Sequence, residues 1–143
     1  MTELSLTVSR LIAAPPKLVF AAWLDPKMLL KVMTSGEGVS VAHAVTDPKV
    51  GGRYAITMKV EDREIPHGGT YLEITPHSRL GFTWESPHAA EGSTIAITFT
   101  PQDGGTFVTL TQLRFKSEDS RDGHGRGWTS ILNALQTALA PAQ

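Results

Sequence analysis

The chain has 143 residues and a mass of 15.4 kDa, a size that suits one domain burying roughly 68–70% of the surface its unfolded form exposes. A net charge of −1, with 41% hydrophobic and 19% charged residues and no basic block, gives no electrostatic footprint for nucleic acid or an anionic membrane surface. The absence of cysteine excludes disulfides, thiolate nucleophiles and cysteine-ligated metals, and fits a reducing compartment.

The N-terminal stretch carries Glu3 and lacks the basic and apolar regions of a signal peptide. No apolar run approaches the roughly 20 residues of a membrane-spanning helix. The expected location is therefore the cytoplasm, with no membrane insertion and one domain over residues 1–143. In "ELSLTVSRLI", Leu4, Leu6, Val8 and Ile12 alternate with polar neighbours, the period of a half-buried strand. Ala13, Ala14, Pro15 and Pro16 end it. "PPKLVFAAWL" predicts a short helix with Val19, Phe20 and Trp23 inward, and "DPKMLLKVM" a second one started by Asp25 and Pro26. A Ser-Gly-Glu-Gly loop closes the pair.

Residues 37–115 read as strands joined by short turns. His43 shares a parity with Val41 and Val45; Tyr54 with Ile56, Met58 and Val60; Leu72 with Thr70 and Ile74. Further strands put Leu80, Phe82 and Trp84 on one face, then Ile95, Ile97 and Phe99. "PQDGGT" predicts a tight hairpin, because Asp-Gly supplies the positive φ that such a turn demands. The last strand, "FVTLTQLRF", gives Val108, Leu110, Gln112 and Arg114 a common parity. Trp128, Ile131, Leu132, Leu135 and Leu139 then form one helical stripe able to cover the apolar face of the sheet. The fold class is α+β: about seven antiparallel strands, two short helices after the first, and a long C-terminal helix.

This order of elements, with the phrases "RLIAAPPKLVFAAWLDPKML", "VTDPKVGGRYAI", "GGTYLEITPHSRLGFTW" and "GRGWTSILNALQTAL", resembles the AHSA1-like family, relatives of the activator of heat-shock-protein ATPase within the START-like, or SRPBCC, superfamily. The resemblance covers nearly the whole chain. It implies a helix-grip fold, a curved sheet wrapped around the terminal helix with a cavity between them. It also implies three kinds of activity: binding of a small apolar or amphipathic ligand, a co-chaperone-like interaction with a chaperone, or cyclase-like catalysis in the same cavity. The chain departs from the family pattern at Val32 and Met33, where many relatives close the second helix with tryptophan, at Gln112, where histidine is common, and at Gly123 and Gly125.

The expected cavity wall is Phe20, Trp23, Met28, Met58, Leu72, Phe82, Trp84, Trp128, Ile131 and Leu135, with His43, Tyr54, Gln112 and Arg114 as polar anchors. Those inward polar groups either pair with each other or wait for a ligand, since an unpaired one costs about 1–3 kcal/mol. No cofactor or metal is expected: the histidines at 43, 67, 77, 88 and 124 lack ligand spacing. Glu61, Glu73 and Glu85 carry the outward parity, so acid–base work would fall to His43, Tyr54 or His124. "HGGT" at residues 67–70 predicts a hairpin connection, there being no G-x-S-x-G elbow to pair with it. "GHGRG" at residues 123–127 lacks the setting of a phosphate loop. Gly127 is expected to let the helix lie close on the sheet, while Gly123 and Gly125 loosen its first turns.

Overall fold

The first strand does not pair with the second; it pairs with the last, and that closes the architecture. In the computed structural model, which describes residues 4–33, 39–87 and 89–140, β1 (Ser5–Ile12) leads into the short helices α1 (Pro16–Ala22) and α2 (Pro26–Val32). These carry the chain across to the far edge of the sheet. There β2 (Val39–Thr46), β3 (Arg53–Val60), β4 (Arg63–Thr75), β5 (Arg79–Thr83), β6 (Thr94–Gln102) and β7 (Gly105–Leu113) return as a meander, followed by α3 (Glu118–Leu139). The strand order is β1-β7-β6-β5-β4-β3-β2, antiparallel throughout. The seven strands curl into a half-barrel around α3, which fits the expected helix-grip fold.

Local chemistry explains the elements. Pro16 and Pro26 occupy first-turn positions, where a missing N–H costs nothing, and Asp25 Oδ1 caps α2 by accepting from Lys27 N at 2.9 Å. Asp103 and Gly104 join β6 to β7 with φ of 50° and 79°, as a two-residue hairpin of matching twist requires. Ser117 caps α3, its Oγ accepting from Ser120 N at 3.1 Å. Among the described residues no helix is long and apolar enough to cross a membrane. The Ser-Gly-Glu-Gly loop and His88 lie outside the described residues.

The core lies between the concave face and the helices. Ile95, Ile97 and Phe99 of β6, Val108 and Leu110 of β7, and Leu132 and Leu135 of α3 are all buried. Polar residues fasten the C-terminal half of α3. Near its C-terminus, Gln136 Oε1 accepts from Ala13 N at 2.8 Å, and Asn133 Oδ1 accepts from Arg10 Nη1 at 2.6 Å. Further up, Trp128 Nε1 donates to Gln112 Oε1 at 2.7 Å. Gln112 is fully buried, and its Nε2 donates to Ser93 Oγ at 3.0 Å, which in turn donates to the Leu113 carbonyl at 2.8 Å.

Two departures from strict alternation share one cause. A bulge in β2 between Val41 and His43 leaves Ala42 without a partner on β3, and a bulge in β4 does the same for Leu72 opposite β5. One extra residue reverses the side-chain parity between the two parts of the strand that it separates. His43 and Val45 therefore turn outward, and Tyr71, not Leu72, takes the inward place, leaving Leu72 52% exposed. The "HGGT" segment is also not a hairpin connection. It lies in the middle of β4, where Gly69 is required: a Cβ there would sit against the Thr83 carbonyl oxygen and the Tyr54 ring.

Replacing Gln112 by leucine should leave the Trp128 N–H buried without an acceptor and lower unfolding stability by about 1–3 kcal/mol. Urea denaturation measures this. In a double-mutant cycle with Trp128→Phe the coupling should exceed about 0.5 kcal/mol; independent effects would show that this bond does not hold the helix.

Candidate functional site

The expected central hollow is filled by the aromatic side chains themselves. Tyr54 packs edge-on to Phe82 at 5.3 Å between centroids and against Tyr71 at 5.5 Å, and Trp84 meets Trp128 at 4.9 Å. The void left among Trp23, Tyr54, Phe82 and Trp84 is about 10 Å³, room for about one water and not for an organic guest. Of the inward polar groups, the Tyr54 hydroxyl donates to the Thr83 carbonyl and Gln112 is held by Trp128 and Ser93, whereas the indole N–H groups of Trp23 and Trp84 are buried without an acceptor.

The open space lies further toward the N-terminal half of α3. A cleft of about 760 Å³ runs between the first turns of that helix and the wall formed by β3, β4 and the segment after β5. That volume falls within the roughly 300–1,000 Å³ typical of small-molecule sites. The apolar surface comes from Met33 at the end of α2, Met58 of β3, Trp84, and Trp128 and Ile131 of α3. Gly123 and Gly127, one helical turn apart on α3, form part of the wall, with Ser120 and Ser130 above and below them. Charged groups at the rim are Lys116, Asp119 and Arg126.

Two histidines also line the cleft. Cross-strand pairing of His67 with Ile56, whose side chain is buried, turns His67 to the concave side, where its ring lies 5.1 Å from that of Trp84. Its Nδ1 is 3.1 Å from the Ile65 carbonyl, and His124 Nδ1 is 2.8 Å from the Ser120 carbonyl. A carbonyl can only accept, so each ring donates from Nδ1.

Of the expected wall, Met58, Trp84, Trp128 and Ile131 line the cleft. Trp23, Tyr54 and Phe82 surround the small void instead, and Leu135 is core. Phe20 packs edge-on to Phe99 at 5.4 Å, and Met28 is partly buried against the core. Leu72 and His43 face outward on the bulged strands. Arg114 follows the end of β7 with φ of 72°, is exposed, and lays its guanidinium over Gly92. His43 and Arg114 therefore do not join Tyr54 and Gln112 in one anchor. Gly127 does not serve close packing: a Cβ there would meet nothing within 4 Å. Gly123 and Gly125 do not interrupt the helix, which is continuous over Glu118–Leu139.

Burial pushes the Tyr54 phenol far above its ordinary range, with Tyr71 the next contributor, and burial followed by the charge of Asp47 pushes Tyr71 up to about 12. Both are neutral hydrogen-bonding groups near pH 7. On the opposite side of β3, Arg53 Nη2 lies 3.0 Å from Glu85 Oε1, and this hydrogen bond, with another from Thr83, holds the Glu85 carboxyl below its usual range. The three candidate acid–base groups are not brought together, since His43 is outside, Tyr54 is in the core and His124 is at the cleft. Among the described residues no group of three or more His, Asp or Glu is placed to hold a metal ion.

Comparison with known proteins agrees with this architecture. A Chromobacterium violaceum protein of known structure is 25% identical, with 96% of this chain and 98% of that one covered and a TM-score of 0.87. A Rhizobium loti protein is likewise 25% identical over 96% and 98% of the two chains, with a TM-score of 0.81. The AHSA1-like protein from Aeromonas hydrophila is 21% identical over 98% of each, with a TM-score of 0.79, a likeness of fold. No curated protein gives a significant match. Residues 13–140 match the model of the family described as Activator of Hsp90 ATPase homolog 1-like protein, and with every element from α1 to α3 inside that match, the chain belongs to the AHSA1-like family.

Proposed function

We propose that this protein binds a small, largely apolar molecule in the cleft beside the N-terminal half of α3. The observation that carries the reading is the pair Gly123 and Gly127. Each sits inside a regular helix, where glycine costs about 0.8–1 kcal/mol relative to alanine. Neither has the positive φ that would require glycine. A Cβ at Gly127 would meet nothing within 4 Å, and one at Gly123 would touch only the end of the flexible Arg126 side chain at 3.7 Å. What the missing side chains do provide is width in the cleft that both residues line.

A second reading, a chaperone-binding module akin to the family's namesake, is supported by family membership and by the nearly solid centre of the molecule. The two readings separate experimentally. A ligand present at 100 times its dissociation constant stabilises the fold by about 2.7 kcal/mol, or about 5–10 °C in melting temperature at this chain length. Screening lipids and metabolites by thermal shift should find such a compound; saturable chaperone binding with no shift from any compound would favour the second reading.

Substitution at Gly127 tests the glycine argument directly. Gly127→Ala should raise stability by about 0.8–1 kcal/mol in urea denaturation. Gly127→Leu should also fold, yet abolish the ligand-induced thermal shift by filling the cleft. A destabilised Gly127→Ala protein would mean that glycine is there for a structural reason.

A further inference from the structure

The wall of the cleft carries a charge pattern of its own, opposite in sign to the chain as a whole. Two full cations, Lys116 and Arg126, stand at its rim against one carboxylate, Asp119, in a protein whose formal net charge is −1. Among the described residues neither cation has a carboxylate within ion-pairing distance, whereas the arginines at 53, 79 and 121 each do. Lys116 Nζ donates one hydrogen bond, to the Pro87 carbonyl at 2.9 Å, and an ammonium has three donors. The positive end of the α3 macrodipole lies at the same rim, where Ser117, Asp119 and Ser120 line the cleft. Below the rim, the Trp84 indole N–H is buried with no acceptor.

Beneath this rim the surface is apolar and aromatic: Met33 and Met58 on one side, Trp84 and Trp128 at the base, and the bare stretch of helix at Gly123 and Gly127 opposite. Flexible methionines and flat indoles accept apolar shapes with little demand on their detail. A molecule matched to both parts has an apolar body and a negatively charged end. Resting on the ligand-binding reading above, we propose that the occupant is an anionic amphiphile, its carboxylate or equivalent head between Lys116 and Arg126 and its alkyl or aryl body against Trp84, Trp128 and the glycine stretch.

Calorimetric titration of the purified protein with a matched set tests the head group: dodecanoate, dodecanol and dodecyltrimethylammonium, each below its micellar concentration and at low salt, with 2-naphthoate as an aryl anion. Dodecanoate or naphthoate should bind at least about tenfold tighter than the alcohol or the cation, and more weakly as salt is added. Which of the two anions binds better identifies the body. Both cationic residues are exposed, so Lys116→Glu/Arg126→Glu should fold, with an unchanged circular dichroism spectrum. It should weaken dodecanoate about tenfold or more and turn the preference toward dodecyltrimethylammonium. Equal affinity for the three head groups, or a preference of the unmodified protein for the cation, would overturn the anionic assignment while leaving a ligand cleft. Binding that survives Gly127→Leu, or no binding by any probe, would overturn the cleft itself.

Discussion

The hydrogen bond from Trp128 to Gln112 fixes the relation between helix and sheet on which the rest of the molecule depends. Hydrophobic packing alone leaves a helix free to rotate or slide over a concave sheet, because apolar contacts are non-directional. A buried polar pair is not so permissive. Gln112 is fully enclosed, both ends of its amide are used, and the Trp128 N–H reaches its oxygen at 2.7 Å. Displacing α3 would leave a donor and an acceptor unsatisfied in a medium where each is expensive. Once Trp128 is placed, Trp84 packs edge-on against it at 4.9 Å between centroids and Trp23 lies tilted at 6.3 Å, and the helix presents a single face to the cleft.

The same economy of polar groups decides where a guest can go. Tyr54 and Gln112 point into the interior, as a ligand anchor would, but each finds its partner within the protein. Aromatic rings occupy the remaining space, leaving about 10 Å³. The open space lies beyond Trp84 and Trp128, where Ser120, Gly123 and Gly127 of the first turns of α3 form part of its wall. The two tryptophans thus form the floor of the cleft and the roof of the core, and a ligand bound there would rest on residues already fixed by the fold.

The topology was legible in the sequence because it depends on periodicity and turn chemistry: the proline-started helices, the Asp103-Gly104 hairpin and the α3 stripe all stand where their patterns put them. Residue placement failed where a bulge intervened. Nothing in "VSVAHAVT" or "GGTYLEIT" marks Ala42 or Leu72 as the extra residue, since a bulge is set by the curvature of the sheet and the pairing of its neighbours. Arg114 was misplaced because the strand ended one residue earlier than its alternation. The cleft was the least legible part. Lys116, Ser117 and Pro87 come from irregular segments with no period to read, and His67 was hidden by two following glycines that suggest a turn, although Gly69 serves the close approach of Thr83 on β5 and Gly68 lies against the Tyr54 carbonyl of β3. The usable signal was the spacing of Gly123 and Gly127, which places both on one face of the helix.

Those glycines also tie stability to function. Glycines at 123, 125 and 127 together weaken α3 by about 2–3 kcal/mol relative to alanine, a sizeable share of the 5–15 kcal/mol that typically separates folded from unfolded states. Gly125 faces Leu6 of β1, where a Cβ would make an ordinary contact at 3.9 Å, so packing does not demand glycine there either. The helix tolerates the loss because its anchors lie elsewhere: Arg10 and Ala13 hold Asn133 and Gln136, and Gln112 holds Trp128. With the C-terminal half of α3, from Trp128 onward, fixed by packing and hydrogen bonds, its first turns are free of the duty of holding the sheet. They are the part of the helix where side-chain bulk can be given up to make room for something else.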